Sequence, residues 1–129
     1  MKPESANFNG AKILVVEDNP INQIVTQENL NKLGCTVELA SSGKEALDKF
    51  TPGSFDCILM DVQMPNMDGY ETTRQIRSKE QDDNHVTIIA LTANAMPEDR
   101  QKCLDSGMND YIAKPIEANT LADCLRKYL

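Results

Sequence analysis

The sequence predicts an α/β fold, a doubly wound (βα)₅ arrangement of five parallel β-strands and five α-helices. Five short runs of apolar and β-branched residues recur along the chain, and each is followed by a stretch with helix signals. Parallel strands need long crossover connections, which helices provide on both faces of the sheet. The length of 129 residues suits one domain with a single sheet.

The five strands are short and mostly apolar, as expected for strands that are covered on both faces. The first is continuously apolar, the second alternates in part, and the last is the shortest. In chain order we predict strands at Ile13–Val16, Thr36–Ala40, Phe55–Met60, Val86–Leu91 and Tyr111–Ala113. Residues 1–11 have no periodicity and contain several breakers, so we predict a flexible tail or linker stub before a domain of residues 12–129.

The first two helices have clear start signals. Asn19 and a following proline fit the start of the first helix, and Gly34 fits its end. Ser42 and Glu45 have the spacing of a capping box, in which each residue bonds to the backbone N–H of the other. This spacing predicts that the second helix begins there.

The remaining helices follow from turn residues and periodicity. A turn with Asp68-Gly69 precedes a helix from about Tyr70 to Ser78. Pro97, followed by two acidic residues, begins the fourth helix. The fifth helix is amphipathic, with apolar side chains at i, i+3, i+4 and i+7: Leu121, Cys124, Leu125 and Tyr128.

Composition disfavours several classes of function. The net charge is −7 and the chain has no Trp, which disfavours direct binding to nucleic acid or to an anionic membrane surface. No apolar run approaches the ~20 residues of a membrane span, so we expect a cytoplasmic domain, whose parent protein could itself be membrane-anchored. The four cysteines form no C-x-x-C pair and the chain has one His, so we expect reduced thiols in the core and no zinc site.

Polar residues follow four of the five strands. Glu17 and Asp18 come after the first strand, Asp61 after the third, Thr92 after the fourth and Lys114 after the fifth. Each residue alone has an ordinary interpretation as a turn former, a helix cap or a solvated charge. In an open parallel sheet, however, the carboxyl ends of the strands meet at one edge, where ligands bind. We therefore expect these five side chains to lie together at the carboxyl-terminal edge of the sheet.

Such a group of side chains suits phosphoryl transfer. Three converging carboxylates repel one another, and a divalent cation such as Mg²⁺ would relieve that repulsion. Lys114 supplies a compact positive charge and Thr92 a hydroxyl donor for phosphoryl oxygens. Phosphoryl transfer requires mainly positioning and charge neutralisation, and a carboxylate can be the nucleophile. Asp61 is our candidate for that nucleophile.

These residues resemble those of the response-regulator receiver domains of two-component signalling. The resemblance covers about residues 12–129. It rests on Glu17-Asp18, on the DVQMPNMDG segment Asp61–Gly69, on Leu91–Ala93 and on Tyr111–Pro115. It implies a flavodoxin-like receiver fold with strand order 2-1-3-4-5.

The resemblance also implies a role for each matching residue at the metal site. Glu17 and Asp18 would organise Mg²⁺, with Mn²⁺ as a substitute. Asp61 would be both the phospho-acceptor and a metal ligand, and Gln63 would offer its backbone carbonyl to the metal. Lys114 would contact the phosphoryl group.

Four further roles are implied around that site. Thr92 would be the switch hydroxyl, and Tyr111 the aromatic residue whose rotamer reports phosphorylation. Gln63 and Asn94 would influence the rate at which the acyl phosphate hydrolyses. The Lys114–Pro115 peptide bond would be cis, which is chemically plausible before proline.

The resemblance implies partners as well. A histidine kinase or a histidine phosphotransfer protein would supply the phosphoryl group in a phosphorelay, and the fourth helix, fifth strand and fifth helix would form the switching face and a homodimer interface. The chain would catalyse its own phosphorylation and dephosphorylation without being a conventional enzyme.

The segment Val16–Gln23 (VEDNPINQ) looks like that of receivers attached to hybrid sensor histidine kinases. A stand-alone single-domain regulator is one alternative. A Mg²⁺-dependent aspartyl-phosphate phosphatase is a less favoured one, because it would carry a second carboxylate where this chain has Gln63.

Overall fold

The computed structural model describes residue 8 and residues 10–64, 67–80, 85–93, 96–114 and 116–129. Strands and helices alternate along this part of the chain, as predicted. The strands are β1 (Lys12–Val16), β2 (Thr36–Ala40), β3 (Cys57–Asp61), β4 (Thr87–Thr92) and β5 (Asp110–Ala113). The helices are α1 (Pro20–Lys32), α2 (Gly43–Lys49), α3 (Gly69–Lys79), α4 (Pro97–Ser106) and α5 (Ala118–Arg126).

The strands form one parallel sheet in the order β2-β1-β3-β4-β5, which confirms the predicted order. The register aligns the carboxyl ends of neighbouring strands. Val16 pairs with Ala40 on one side and with Met60 on the other, and Asp61 pairs with Leu91. The loops that leave β1, β2 and β3 therefore begin side by side.

Each face of the sheet has its own apolar core. Every residue of β3 is buried, with Ile58 and Met60 in one core and Cys57 and Leu59 in the other. Helices α2, α3 and α4 cover the first face, and α1 and α5 cover the second. Burying one large aliphatic side chain stabilises the fold by about 1.5–3 kcal/mol, so these two cores fix the strands and the positions of their carboxyl ends.

The predicted start signals of the first two helices are confirmed, with one difference. Asn19 caps α1 by accepting hydrogen bonds from the N–H groups of its second and third following residues, and Gly34 follows the helix with φ 83°. Ser42 Oγ accepts from the Glu45 N–H at 3.1 Å. The Glu45 carboxylate, however, accepts from the N–H of Ser41 at 2.8 Å instead of that of Ser42.

Several predicted boundaries were wrong by one or two residues. β3 begins at Cys57, two residues later than predicted, and extends to Asp61, while β4 extends to Thr92. α5 ends at Arg126, so Tyr128 lies beyond the helix, where its hydroxyl donates to Asp110 Oδ2 at 3.0 Å. Asp61 and Thr92 thus belong to strands and not to loops, and the sheet holds them directly.

The four thiols are free and buried, as predicted. Burial raises the pKa of Cys35 to about 11, so that thiol stays protonated and unreactive at neutral pH. In the described part of the chain, no helix is long and apolar enough to cross a membrane. The predicted tail of residues 1–11 stays a prediction, although the Phe8 N–H does donate to the Leu33 carbonyl at 3.0 Å.

Candidate functional site

Three carboxylates meet at the carboxyl-terminal edge of the sheet. One oxygen each from Glu17, Asp18 and Asp61 lies within 4.8 Å of the other two. The side chains of Glu17 and Asp61 are almost fully buried, at 1% and 2% exposed, whereas Asp18 is exposed. The structure therefore brings together the acidic residues that the sequence predicted, with one of them open to solvent.

Asp61 is held by its own strand and by the loop that follows. The Gln63 N–H donates to Asp61 Oδ1 at 3.0 Å. The first residue of α3, Gly69, lies against the backbone at the end of β3, where an added Cβ would be 2.8 Å from Val62 Cα and still closer to the Asp61 carbonyl oxygen. Only glycine fits this approach, so Gly69 allows α3 to begin directly beside Asp61.

Glu17 is held by hydrogen bonds to its backbone and to one carboxylate oxygen. Its N–H donates to the Ala40 carbonyl at 2.9 Å, and its Oε2 accepts from the Asn19 N–H at 3.2 Å. Its carbonyl oxygen accepts from Gln23 Nε2 at 2.6 Å. Its second carboxylate oxygen, Oε1, is buried and accepts no hydrogen bond within the described residues.

Lys114 is the cation of this cluster. Its Nζ lies 3.3 Å from Glu17 Oε1, outside hydrogen-bonding geometry, and 3.2 Å from Asp61 Oδ1. The Lys114 N–H donates to the Thr92 carbonyl at 2.7 Å, which ties the loop after β5 to the end of β4. Burial alone would lower the pKa of Lys114, but the Asp61 and Glu17 carboxylates raise it, so the ammonium group stays charged.

One lysine does not balance two buried carboxylates and a third beside them. Burial and the neighbouring Asp61 carboxylate raise the pKa of Glu17 to about 6, although Asn19 and Lys114 act in the opposite direction. Hard carboxylate oxygens at this spacing, one of them without a hydrogen bond, are the ligands that Mg²⁺ prefers. The residues present therefore fit a divalent cation.

The remaining predicted residues lie in different places. Thr92 is buried at the end of β4, 4% exposed, and Gln63 is exposed. Tyr111 belongs to β5, and the centre of its half-buried ring is 5.9 Å from the Arg100 guanidinium carbon. That ring lines a surface groove of about 410 Å³ between α4 and β5, together with Pro97, Arg100, Gln101 and Leu104.

Two predicted roles fall outside the described residues. These are the influence of Asn94 on hydrolysis and the cis peptide bond before Pro115, and both stay predictions.

Sequence reasoning missed two residues that support the site. Gln23 and Ser41 are joined by a hydrogen bond of 3.0 Å, and Gln23 holds the Glu17 carbonyl oxygen. Gln23 ends the segment that resembles receivers of hybrid kinases but was given no role at the site, and Ser41 follows the one strand whose carboxyl end carries no predicted site residue. The only available signal was that both lie at the same edge of the sheet as Glu17.

Comparisons with known proteins all point to the same protein family. Residues 13–126 match the family model described as "Response regulator receiver domain". The chain is 43% identical over 122 residues to hybrid signal transduction histidine kinase L of Dictyostelium discoideum, a match that covers 91% of this chain and 7% of that protein. The chain thus spans a small fraction of the length of this curated relative.

Two solved structures are similar over almost the whole chain. The receiver domain of a sensor histidine kinase from Pseudomonas aeruginosa, with a magnesium ion coordinated in its active site cleft, has 45% identity and a TM-score of 0.82, covering 92% of this chain and 97% of that one. The Saccharomyces cerevisiae complex of the phosphotransfer protein Ypd1 with the receiver domain of Ssk1 has 35% identity and a TM-score of 0.84, covering 94% and 90%. Fold, acidic cluster and family match agree, and the chain belongs to the response regulator receiver domain family.

Proposed function

We propose that this receiver domain takes a phosphoryl group from a phosphohistidine onto Asp61 in a reaction that requires Mg²⁺. The observation that carries the proposal is the position of Asp61. Its carboxylate is buried at the end of β3, within 4.8 Å of two other carboxylates and 3.2 Å from the Lys114 ammonium group. A structural turn aspartate would need neither the other acids nor the lysine.

Glu17, Asp18 and Asp61 would hold the metal ion, with the backbone carbonyl of Gln63 as a further ligand. The unsatisfied Glu17 Oε1 and the raised pKa of that carboxyl support this assignment. So does the magnesium ion in the similar Pseudomonas receiver. Bound here, Mg²⁺ would neutralise charge on the transferring phosphoryl oxygens, and Mn²⁺ would substitute because it also accepts octahedral oxygen ligands.

The side chains of the site would perform the transfer by orientation and charge. A carboxylate oxygen of Asp61 forms the O–P bond while the P–N bond of the donor breaks and its electron pair returns to the imidazole. The Gln63 N–H and Lys114 Nζ orient the carboxylate through Oδ1. Lys114 and the Thr92 hydroxyl then face the phosphoryl oxygens, where the fixed positive charge of the lysine stabilises developing negative charge.

Phosphorylation would be read out on the surface of α4, β5 and α5. Thr92 would move toward the phosphoryl group, and the ring of Tyr111 would turn into the space that it leaves. The ring is half-buried and now lies beside an open surface groove and the Arg100 guanidinium group, which is the outward position that this switch requires. The change would shift the population between two packings of this surface, and the phosphorylated form would dimerise through it.

The donor would dock beside the Asp61 site, on the surface of α1. Ile21, Ile24 and Val25 are 71%, 55% and 46% exposed and follow one face of α1, which begins directly after the acidic pair. An apolar helix face next to the acceptor suits a helical phosphotransfer partner that carries its histidine on a neighbouring turn. The similarity to the receiver of the Ypd1 complex supports a partner of this kind.

We further propose that the domain comes from a hybrid sensor histidine kinase, because the curated relative with 43% identity is such a kinase. A stand-alone regulator remains the second candidate, since single receiver domains share this fold. The family match does not favour the aspartyl-phosphate phosphatase, and the exposed Gln63 provides no second carboxylate there.

Phosphorylation of Asp61→Asn tests the proposal. The wild-type domain should be labelled by a phosphorylated histidine phosphotransfer domain in Mg²⁺ but not in EDTA, and the variant should not be labelled. Asp48→Asn is the matched control, because Asp48 is exposed on α2. Mg²⁺-dependent labelling of Asp61→Asn at the wild-type rate would refute the assignment of the acceptor.

A further inference from the structure

Among the described residues, Gln23 makes no hydrogen bond to a carboxylate of the acidic cluster, yet its side chain joins the loops that follow β1 and β2. Its Nε2 donates to the backbone carbonyl of Glu17 at 2.6 Å and to Ser41 Oγ at 3.0 Å. Glu17 leaves β1 and Ser41 leaves β2, and these strands are neighbours in the sheet. Gln23 is half-buried, so both bonds are partly shielded from water.

The hydrogen bonds continue from Ser41 into α2. The Ser41 N–H donates to the Glu45 carboxylate at 2.8 Å, and Glu45 is fixed in the first turn of α2 by the bond of its N–H to Ser42 Oγ. The hydrogen bond from the Ser41 N–H is the main cause that lowers the pKa of Glu45. The Ser41 N–H therefore donates to a charged carboxylate, which makes a stronger hydrogen bond than a neutral acceptor would. The position of Ser41 is therefore fixed by α2, and Gln23 is in turn oriented by its hydrogen bond to Ser41.

The atom that Gln23 holds controls the direction of the acidic pair. The Glu17 carbonyl oxygen and the Asp18 nitrogen belong to the same planar peptide group. Holding that oxygen therefore fixes the direction in which the backbone enters Asp18. The Asp18 side chain is exposed, and within the described residues it has no hydrogen bond that would orient it by other means.

We propose that Gln23 is a positioning residue for the divalent-cation site, acting through the Glu17–Asp18 peptide with Ser41 as its anchor. The inference rests on the proposed function, since it assigns a support to the metal site of that proposal. It also gives a role to β2, the one strand whose carboxyl end offered no chemical group. Replacing a residue that orients a metal ligand without binding the metal itself typically changes metal affinity by about 10–100-fold. Gln23 acts on one of three carboxylates, so we expect a change near the lower value of about tenfold.

Gln23→Met is the informative substitution, because methionine keeps the length of the side chain and removes both donors. Isothermal titration with MgCl₂ should show a dissociation constant raised about tenfold. Ser41→Ala should give a smaller rise, and the double variant should match Gln23→Met because the two residues act as one unit. Gln27→Met is the control: Gln27 lies one turn further along α1 and makes no hydrogen bond to either loop among the described residues.

A phosphorylation assay separates positioning from a general loss of structure. With acetyl phosphate as donor, Gln23→Met should need about tenfold more Mg²⁺ for its half-maximal rate while its maximal rate stays within about twofold of wild type. Mg²⁺ affinity of Gln23→Met and Ser41→Ala within about twofold of wild type would overturn the inference, as would a lowered maximal rate at saturating Mg²⁺. A wild-type domain that binds no Mg²⁺ would overturn the proposed function as well.

Discussion

Replacing Asp61 with Asn is expected to stabilise the metal-free domain, although it removes the proposed acceptor. The carboxylate oxygens of the cluster lie within 4.8 Å of one another. At an effective dielectric constant of about 20, two charges at that upper limit repel by about 3.5 kcal/mol. The Lys114 ammonium group at 3.2 Å attracts Asp61 by about 5 kcal/mol on the same scale. Repulsion by Glu17, with a weaker contribution from the exposed Asp18, therefore nearly cancels the attraction.

What remains is the cost of burying the carboxylate itself, which is 2% exposed. A neutral amide avoids most of that cost and still accepts the hydrogen bond from the Gln63 N–H. We therefore expect Asp61→Asn to raise the free energy of unfolding by about 1–2 kcal/mol in EDTA. The assay is urea denaturation followed by far-ultraviolet circular dichroism, with Asp48→Asn as a control expected to change the value by less than about 0.5 kcal/mol.

Mg²⁺ should reduce the difference between the two proteins. At a concentration of Mg²⁺ ten times the dissociation constant, binding adds about 1.4 kcal/mol to the stability of the wild type. The variant lacks one ligand and should gain less. A variant that is less stable than wild type in EDTA would refute the reasoning, because the carboxylate would then be a satisfied part of the fold.

Three further substitutions, with Arg74→Met as a control, test individual contacts that support the fold and the site. Gly69→Ala should lower the free energy of unfolding by about 2–3 kcal/mol and weaken Mg²⁺ binding, since its Cβ would overlap the backbone at the end of β3; urea denaturation and calorimetric titration measure the two effects. Arg77→Met should lower the free energy of unfolding by about 3 kcal/mol, because it removes the nitrogen that donates to both oxygens of the fully buried Glu80 carboxylate. Arg74→Met should lower it by less than about 0.5 kcal/mol, because its ion pair is exposed. Equal losses from both arginines on thermal unfolding would contradict this. Asn19→Ala should lower the free energy of unfolding by about 1 kcal/mol, because it removes the side chain that caps the N-terminus of α1. An unchanged stability on thermal unfolding would contradict the capping role.

The fold could be predicted because the strands are covered on both faces. Continuous apolar runs such as Ile13–Val16 are typical of buried parallel strands, and the parallel topology then places Asp61 and Lys114 at one edge without any knowledge of distances. The types of side chain that meet at the carboxyl-terminal edge of the sheet could therefore be predicted from the residue types and their order along the chain.

Details that depend on local backbone geometry could not be predicted. The Glu45 carboxylate bonds to the N–H of Ser41 and not to that of Ser42, because the choice depends on where the extended backbone of Ser42 directs each N–H. Likewise the sequence does not distinguish the buried Glu17 from the exposed Asp18, although they are neighbours. Which of the two is buried depends on the direction in which the backbone points each side chain as it leaves β1.

The hydrogen bond from Gln23 to Ser41 shows a second limit. The two residues are 18 positions apart, and neither belongs to a pattern that requires the other. Their contact follows from the register of β1 against β2 and from the rotation of α1 about its axis. Such a support becomes visible only when both loops are placed in three dimensions.

The most direct measurement for the central claim is the location of the phosphoryl group after transfer. The wild-type domain, phosphorylated in Mg²⁺ and treated with borohydride, should yield on mass spectrometry a peptide in which Asp61 is reduced to homoserine. Samples made in EDTA, or from Asp61→Asn, should lack the modification. Homoserine at Asp18 or another aspartate, or modification that persists in EDTA, would contradict the assignment of Asp61 as a Mg²⁺-dependent phospho-acceptor.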